Sequence, residues 1–286
     1  ITVPPFLMAV HAKNYDSMRW QSIYLAGAYY ETAVHNRFLK ILKDQPSQLV
    51  IDVGMNIGYY TMLAATLGHS VIGFEINPAN LMRLCESLDL NQMGSPSPVA
   101  FFQRGVSNVD DQTLQLVVPK NPGQATFVVA DSSPRAAGSS VDDSSVTTIT
   151  LDTFAQQQGW LDPSSSSPTI PLLKIDVEGL EPEIILGARK LLQSGIVKNI
   201  LTEYRDFSSE NSRISFQFLL DSGYLLTEDD GTVMTREQSQ ALYNDVVHGR
   251  LHNESLKRIL KAYFRKKQFY MDWWFSCPTC GTRASP

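Results

Sequence analysis

The chain has little cysteine. Cys85, Cys277 and Cys280 are the three in 286 residues, too few for a disulfide scaffold. It has no run of 18 apolar residues, so no membrane span is expected within it. It has no basic excess either. Its 24 Lys and Arg stand against 29 Asp and Glu, a net charge of −5, which argues against a nucleic-acid partner. No [DNS]-P-P-[YF] stretch suited to base amines occurs. The common phosphate cradles are missing too: there is no G-x-G-x-x-G and no Walker-type G-K-[ST]. The first residue is Ile1 rather than Met, as in a processed or trimmed chain. A signal or anchor ahead of it, and the compartment, therefore stay open. The remaining composition, 43% hydrophobic and 19% charged, is that of a globular protein.

What is present is the run LVIDVGMNIGYY, Leu49 to Tyr60. Leu49-Val50-Ile51 is a short continuous apolar stretch, as in a strand buried on both faces, and Asp52 ends it. Gly54, Asn56 and Gly58 follow, and Tyr60 to Ala65 has helical composition. Strand, glycine turn and helix N-terminus let a ligand approach the backbone closely. The next apolar run, Ser70 to Phe74, ends in Glu75. That is about 20 residues after the loop, where nucleotide-binding α/β folds place an acid on ribose hydroxyls. Asn77-Pro78 then opens a helix. An acid ahead of the glycine turn repels phosphate and suits an ammonium group. The site therefore fits S-adenosylmethionine, which has an amine, a sulfonium and a ribose but no phosphate, better than NAD or ATP. The plain alternative is a structural βαβ turn.

The rest of the chain predicts an α/β fold with one mostly parallel sheet, antiparallel strands at its end and helices on both faces. Residues 1–48 read as a lead-in or cap, 49–230 as the cofactor-binding core, and 231–286 as C-terminal helices with a closing strand. Phe6 to Val10 is a candidate strand, Ser22 to Gly27 an apolar piece, and Tyr30 to Lys43 a helix with Val34, Phe38, Leu39 and Leu42 on one face. Glu31 would sit near the cofactor loop if this segment caps the sheet. After strand Val99 to Phe102, the stretch Gln103 to Ser107 is a place for adenine contacts. Residues 108–168 form an insertion: a hairpin of Thr113–Val118 and Ala125–Ala130, then a polar loop from Asp131 to Ser145. Val146 to Leu151 reads as a strand, and Asp152 as the N-cap of a helix. Pro182 to Gln193 reads as one helix.

Four expected strands end in an acid: Asp52, Glu75, Asp176 and Glu203. Glu178 lies two residues past Asp176. In an open α/β sheet the carboxyl ends of the strands face the ligand crevice, so these five carboxylates are expected in one place. Like charges there need a cation or donors to balance them; Lys174 and Arg205 are candidates, as is a sulfonium. Asp176, Glu178 and Glu203 are candidate bases for a hydroxyl proton. A divalent metal on the same oxygens is the rival, but no metal ligand is assigned, because no His joins the acids.

These residues resemble a known family. LVIDVGMNIGYYT, FEINP, LLKIDVEGLEPEIILGARKLL and ILTEYRD resemble FkbM-type methyltransferases, and TITLDTF and Tyr30-Glu31 add to the likeness. It runs from about Tyr24 to Leu226. The resemblance implies a class I, Rossmann-like, S-adenosylmethionine-dependent fold and O-methylation of a hydroxyl on a sugar, polyketide or similar small molecule. It implies that Asp52, Gly54, Asn56, Gly58, Glu75 and Asn77 hold the cofactor and that Asp176, Glu178 and Glu203 face the acceptor. A non-catalytic binding module on the same fold is the alternative.

Other signals have plain readings. Cys277 and Cys280 have the spacing of half a zinc site, with His248 and His252 as possible partners, but free surface thiols or a local disulfide fit as well. The basic, amphipathic stretch Ser255 to Lys267 reads as a docked helix with a solvated face. Strand alternation would turn one of Trp273 and Trp274 outward.

Overall fold

The computed structural model describes residues 5–12, 32–43, 45–94, 96–118, 126–129, 140–204, 207–228, 230–248 and 271–279. A seven-stranded sheet organises them. β1 (Leu49–Val53) lies between β2 (Ser70–Glu75) and β8 (Leu172–Ile175). β3 (Val99–Gln103) flanks β2, and β9 (Asn199–Tyr204) flanks β8; all four pairings are parallel. β11 (Met271–Ser276) inserts antiparallel between β9 and the short β10 (Leu225–Leu226).

Both faces of this sheet are covered, which is why its parallel strands are apolar runs rather than alternating ones. One face carries α1 (Thr32–Leu42), α2 (Tyr59–Thr66) and α3 (Pro78–Leu90). There Phe38, Met62 and Leu84 pack with Val50, Leu172, Leu201 and Trp274. The other carries α4 (Leu151–Gln157), α5 (Glu181–Leu186), α6 (Arg189–Gln193), α7 (Glu210–Asp221) and α8 (Arg236–Val247). Their Phe154, Ile184, Leu191, Phe216 and Leu242 pack with Ile51, Leu173, Ile200 and Trp273. Trp273 and Trp274 do alternate, but each side of the strand is core, so neither faces outward.

A second sheet has the order β4 (Gly105–Val106), β7 (Ser140–Ile149), β5 (Thr113–Val118) and β6 (Thr126–Val129). The expected hairpin is the antiparallel β5–β6 pair.

Several local expectations fail for visible reasons. Phe6 to Val10 is not a strand. The amides of Leu7 and Ala9 donate to the Asn91 and Ser87 side chains of the α3 region, so its backbone is satisfied without a ladder. Residues 140–145, read as loop from their polarity, belong to β7. Ser140 and Val141 lie opposite Val118 and Val117, and a register shift between Gln115 and Val117 absorbs the mismatch. The N-cap of α4 is Thr150, whose hydroxyl accepts from the Thr153 amide, and not Asp152. Asp152 instead accepts from the Lys190 and Leu191 amides at 3.0 and 2.8 Å, capping α6 from outside.

That cap explains why Pro182 to Gln193 is two helices. The chain breaks at Gly187, whose carbonyl accepts from the Asp152 amide. Cys277 is disulfide-bonded rather than a free thiol. Ser22–Gly27, Glu31, Arg205, His252, 255–267 and Cys280 lie outside the described residues.

Candidate functional site

The carboxyl edges of β1, β2, β8 and β9 form the site. In parallel strands, residues in register share a face, so the pairing of Asp52 with Lys174 sets a carboxylate beside an ammonium. Asp52 falls inside β1 rather than after it, and is buried. Its Oδ2 accepts from the Thr61 hydroxyl of α2 at 2.7 Å. Lys174 Nζ lies 3.7 Å from Asp52 Oδ1 and 3.2 Å from Asp176 Oδ2, and 5.0 Å from the centre of the Tyr60 ring. Burial raises the Asp52 pKa; Lys174 and the Thr61 hydroxyl oppose that. Asp52 Oδ1 has no hydrogen-bond partner.

The β1–α2 turn needs its glycines. Gly54 has φ +76°, and a Cβ there would lie 1.9 Å from the Asp176 carbonyl oxygen. Gly58, at φ +87°, would drive a Cβ to 2.5 Å from the Leu84 side chain. Asn56, between them, is also left-handed at φ 55°, and its side chain accepts from the Ile57 amide.

Glu75 clasps this turn from the next strand. Its Oε2 accepts from the Asn56 amide at 2.8 Å, and its Oε1 accepts from the Ile76 and Asn77 amides at 3.1 and 2.8 Å. Burial nevertheless raises its pKa. Asn77 caps α3 through the Ala79 amide. Ser107 is half-buried, its amide donates to the Ile149 carbonyl, and its own carbonyl oxygen lies where a Cβ on Gly187 would come to 2.2 Å.

The turn after β8 is built differently. Glu178 takes φ 64° and Gly179 φ 114°. Glu181, the first residue of α5, reaches back so that its Oε1 accepts from the Val177 and Gly179 amides at 2.9 and 3.1 Å. Glu181 is fully buried, and its Oε2 has no hydrogen-bond partner. Burial, with the charge of Asp176 adding to it, raises its pKa. Carboxylate oxygens of Asp176, Glu181 and Glu203 lie within 4.8 Å of one another.

The five expected acids therefore divide. Asp52 and Asp176 share Lys174, and Glu75 holds the turn. Asp176 and Glu203 meet Glu181, and Glu178 is not in that group. From the sequence, Glu181 reads only as an acid suited to a helix N-terminus. The signal that marks it is its place two residues after the Gly179 turn, within reach of that turn's amides. A small pocket opens beside the group, lined by Lys174, Asp176, Thr202, Glu203 and Val34 among others.

The sequence profile of the Methyltransferase FkbM domain matches residues 52–229, well over half of the chain and all of these acids. The chain belongs to the FkbM methyltransferase family. The fold of this FkbM protein is the class I, Rossmann-like α/β fold of S-adenosylmethionine-dependent methyltransferases.

Similar solved structures include the FkbM methyltransferase of Methylobacillus flagellatus, 18% identical at a TM-score of 0.34, covering 55% of this chain and 32% of that one. The precorrin-6y C5,15-methyltransferase of Geobacter metallireducens is 15% identical at 0.37, covering 70% and 75%. A TehB-like S-adenosylmethionine-dependent methyltransferase of Corynebacterium glutamicum is 9% identical at 0.39, covering 91% and 95%. The chain thus spans about a third of the first of these. No curated protein matches the chain. Among the described residues no helix is long and apolar enough to cross a membrane.

The residues present fit the cofactor. The turn at Gly54 leaves no room for a side chain, and Asp52 Oδ1, which accepts no hydrogen bond and lies 3.7 Å from the Lys174 ammonium, is a carboxylate oxygen of the kind that pairs with an ammonium group.

Proposed function

We propose that this FkbM protein methylates a hydroxyl oxygen on a carbohydrate or another small polyhydroxylated molecule, and that it does not act on nucleic acid. The observation that carries the reading is the placing of Asp176 and Glu203 together on the pocket wall, beside the Asp52–Lys174 pair. When bound, S-adenosylmethionine supplies a methyl group activated by its sulfonium. Asp52, Gly54, Asn56, Gly58, Glu75, Asn77 and Ser107 form the cofactor side, with Glu31 as the further residue assigned from sequence.

On the acceptor side, a hydroxyl must lie in line with the sulfur–methyl bond and lose its proton. Asp176 and Glu203 are the bases, ahead of Glu178, which lies outside the carboxylate group. The Lys174 ammonium lies 3.2 Å from Asp176. The net charge of −5 supports a small or neutral acceptor over a polyanion.

The test is calorimetric titration with S-adenosylmethionine and S-adenosylhomocysteine, followed by methyl transfer to a panel of sugars and polyols. Micromolar binding (about −8 kcal/mol) is expected. Glu203→Gln should spare binding and lower turnover by about 10²–10⁴. Binding with full turnover in that variant removes Glu203 as the base. Failure to bind either compound favours a non-catalytic module.

A further inference from the structure

A buried carboxylate oxygen with no partner is costly, because it has given up water for nothing. Glu181 Oε2 is such an atom. Its sister oxygen is spent on two amides, so the side chain is held in place and cannot turn away to relieve the cost. Oxygens of Asp176 and Glu203 converge on the same carboxylate. Glu181 is buried and Asp176 and Glu203 are half-buried, and beyond the Lys174 ammonium 3.2 Å from Asp176 a proton or a cation between these like charges would lower their repulsion.

The spacing is open to a cation. Ligand oxygens held about 2.1–2.4 Å from one ion stand at most about 4.2–4.8 Å apart across it, and the three oxygens here lie within 4.8 Å of one another.

A second bare group lines the same pocket: the Thr202 hydroxyl oxygen is buried and has no hydrogen-bond partner. The donors are all oxygen, the set favoured by hard cations. The three carboxylates come from different elements, β9, the β8 turn and α5, so an ion there would tie the acceptor edge together. Lys174 shares Asp176 with the site.

We propose that Asp176, Glu181 and Glu203 bind one hard divalent cation of the Mg²⁺, Mn²⁺ or Ca²⁺ class, which holds the acceptor through its hydroxyl oxygens. This deepens the proposed function and rests on it for the acceptor. The cation would lower the hydroxyl pKa, and the carboxylates assigned as bases would then be its ligands. Three protein oxygens leave coordination positions open for a vicinal pair of hydroxyls, which selects polyols over lone alcohols.

The test uses the full chain, stripped with chelator and free of cofactor. Mn²⁺ is titrated and followed by electron paramagnetic resonance. One bound Mn²⁺ per chain is expected. Glu181→Gln and Glu203→Gln should each weaken it at least about tenfold. Glu183→Gln, whose carboxylate accepts from Asn211, should not. Gln at 181 keeps one acceptor oxygen for the Val177 and Gly179 amides. If that variant fails to fold, Glu203→Gln, on a different element, carries the test. Absence of stoichiometric Mn²⁺, or equal weakening by Glu183→Gln, or no weakening by either ligand variant, overturns the site. S-adenosylhomocysteine titration of the same samples separates the two claims. Cofactor binding without Mn²⁺ sinks only the cation site, whereas Mn²⁺ binding without cofactor sinks only the function.

Discussion

The turn after β1 and the turn after β8 solve one problem in two ways. Each leaves a central parallel strand and enters a helix, and each is clasped by a buried glutamate. At the first turn, Glu75 comes from the neighbouring strand and divides three amides between its two oxygens. At the second, Glu181 comes from the turn's own helix, loads two amides on one oxygen and leaves the other bare. The first clasp holds the backbone through both of its carboxylate oxygens. The second has acceptor capacity left over. An unsatisfied buried acid reads as a site.

The comparison can be broken at several points. The largest effect is expected from Gly54→Ala, because both turns meet at that atom. Its Cβ would enter the Asp176 carbonyl, and the residue would keep a left-handed φ. A stability loss of about 4 kcal/mol, read by chemical denaturation, is expected; a loss under about 1 kcal/mol would show that the turns are not in contact.

Asp52→Asn comes next. It keeps an acceptor for Thr61 but removes the charge beside Lys174. Cofactor binding should disappear in calorimetry while folding falls by about 1–3 kcal/mol. Unchanged affinity would remove Asp52 from the cofactor side.

Glu75→Gln sharpens the contrast at smaller cost. One of its amide contacts becomes donor against donor, a loss of about 1–2 kcal/mol. It also carries the smallest effect, a change in pH dependence. Burial gives Glu75 a higher pKa folded than unfolded. Its ionisation therefore costs nothing below the unfolded carboxylate value of about 4.3. The cost grows as pH rises through the raised folded value, so stability without cofactor falls with pH over that window. The variant should flatten that fall in thermal melts between pH 4 and 8; an unchanged slope would show that other acids set it.

The first turn was legible because its constraints act on the residues that show them. A strand buried on both faces must be apolar, a left-handed turn asks for glycine, and an acid at a strand end lies beside the crevice. So Asp52, Gly54, Gly58 and Glu75 were found together. The second turn was half legible. Asp176 and Glu203 end strands, but the third member of their group sits on a helix, and acids at helix starts are common enough to hide it. Asp152 was read in the wrong role for a related reason. Its partners are the amides of Lys190 and Leu191, nearly forty positions away, and local capping rules describe only near neighbours. Polarity misled at 140–145, where a strand's backbone pairing does not need apolar side chains.

The joint at Gly187 has a consequence for the whole crevice. Ser107 and Gly187 meet through backbone, and the Gly187 carbonyl and Asp152 amide are backbone too. The segment assigned to the adenine and the helix pair behind the acceptor acids are thus geared main chain to main chain. Side chains elsewhere on both rims can be exchanged without changing the meshing, so the distance between the two rims stays fixed.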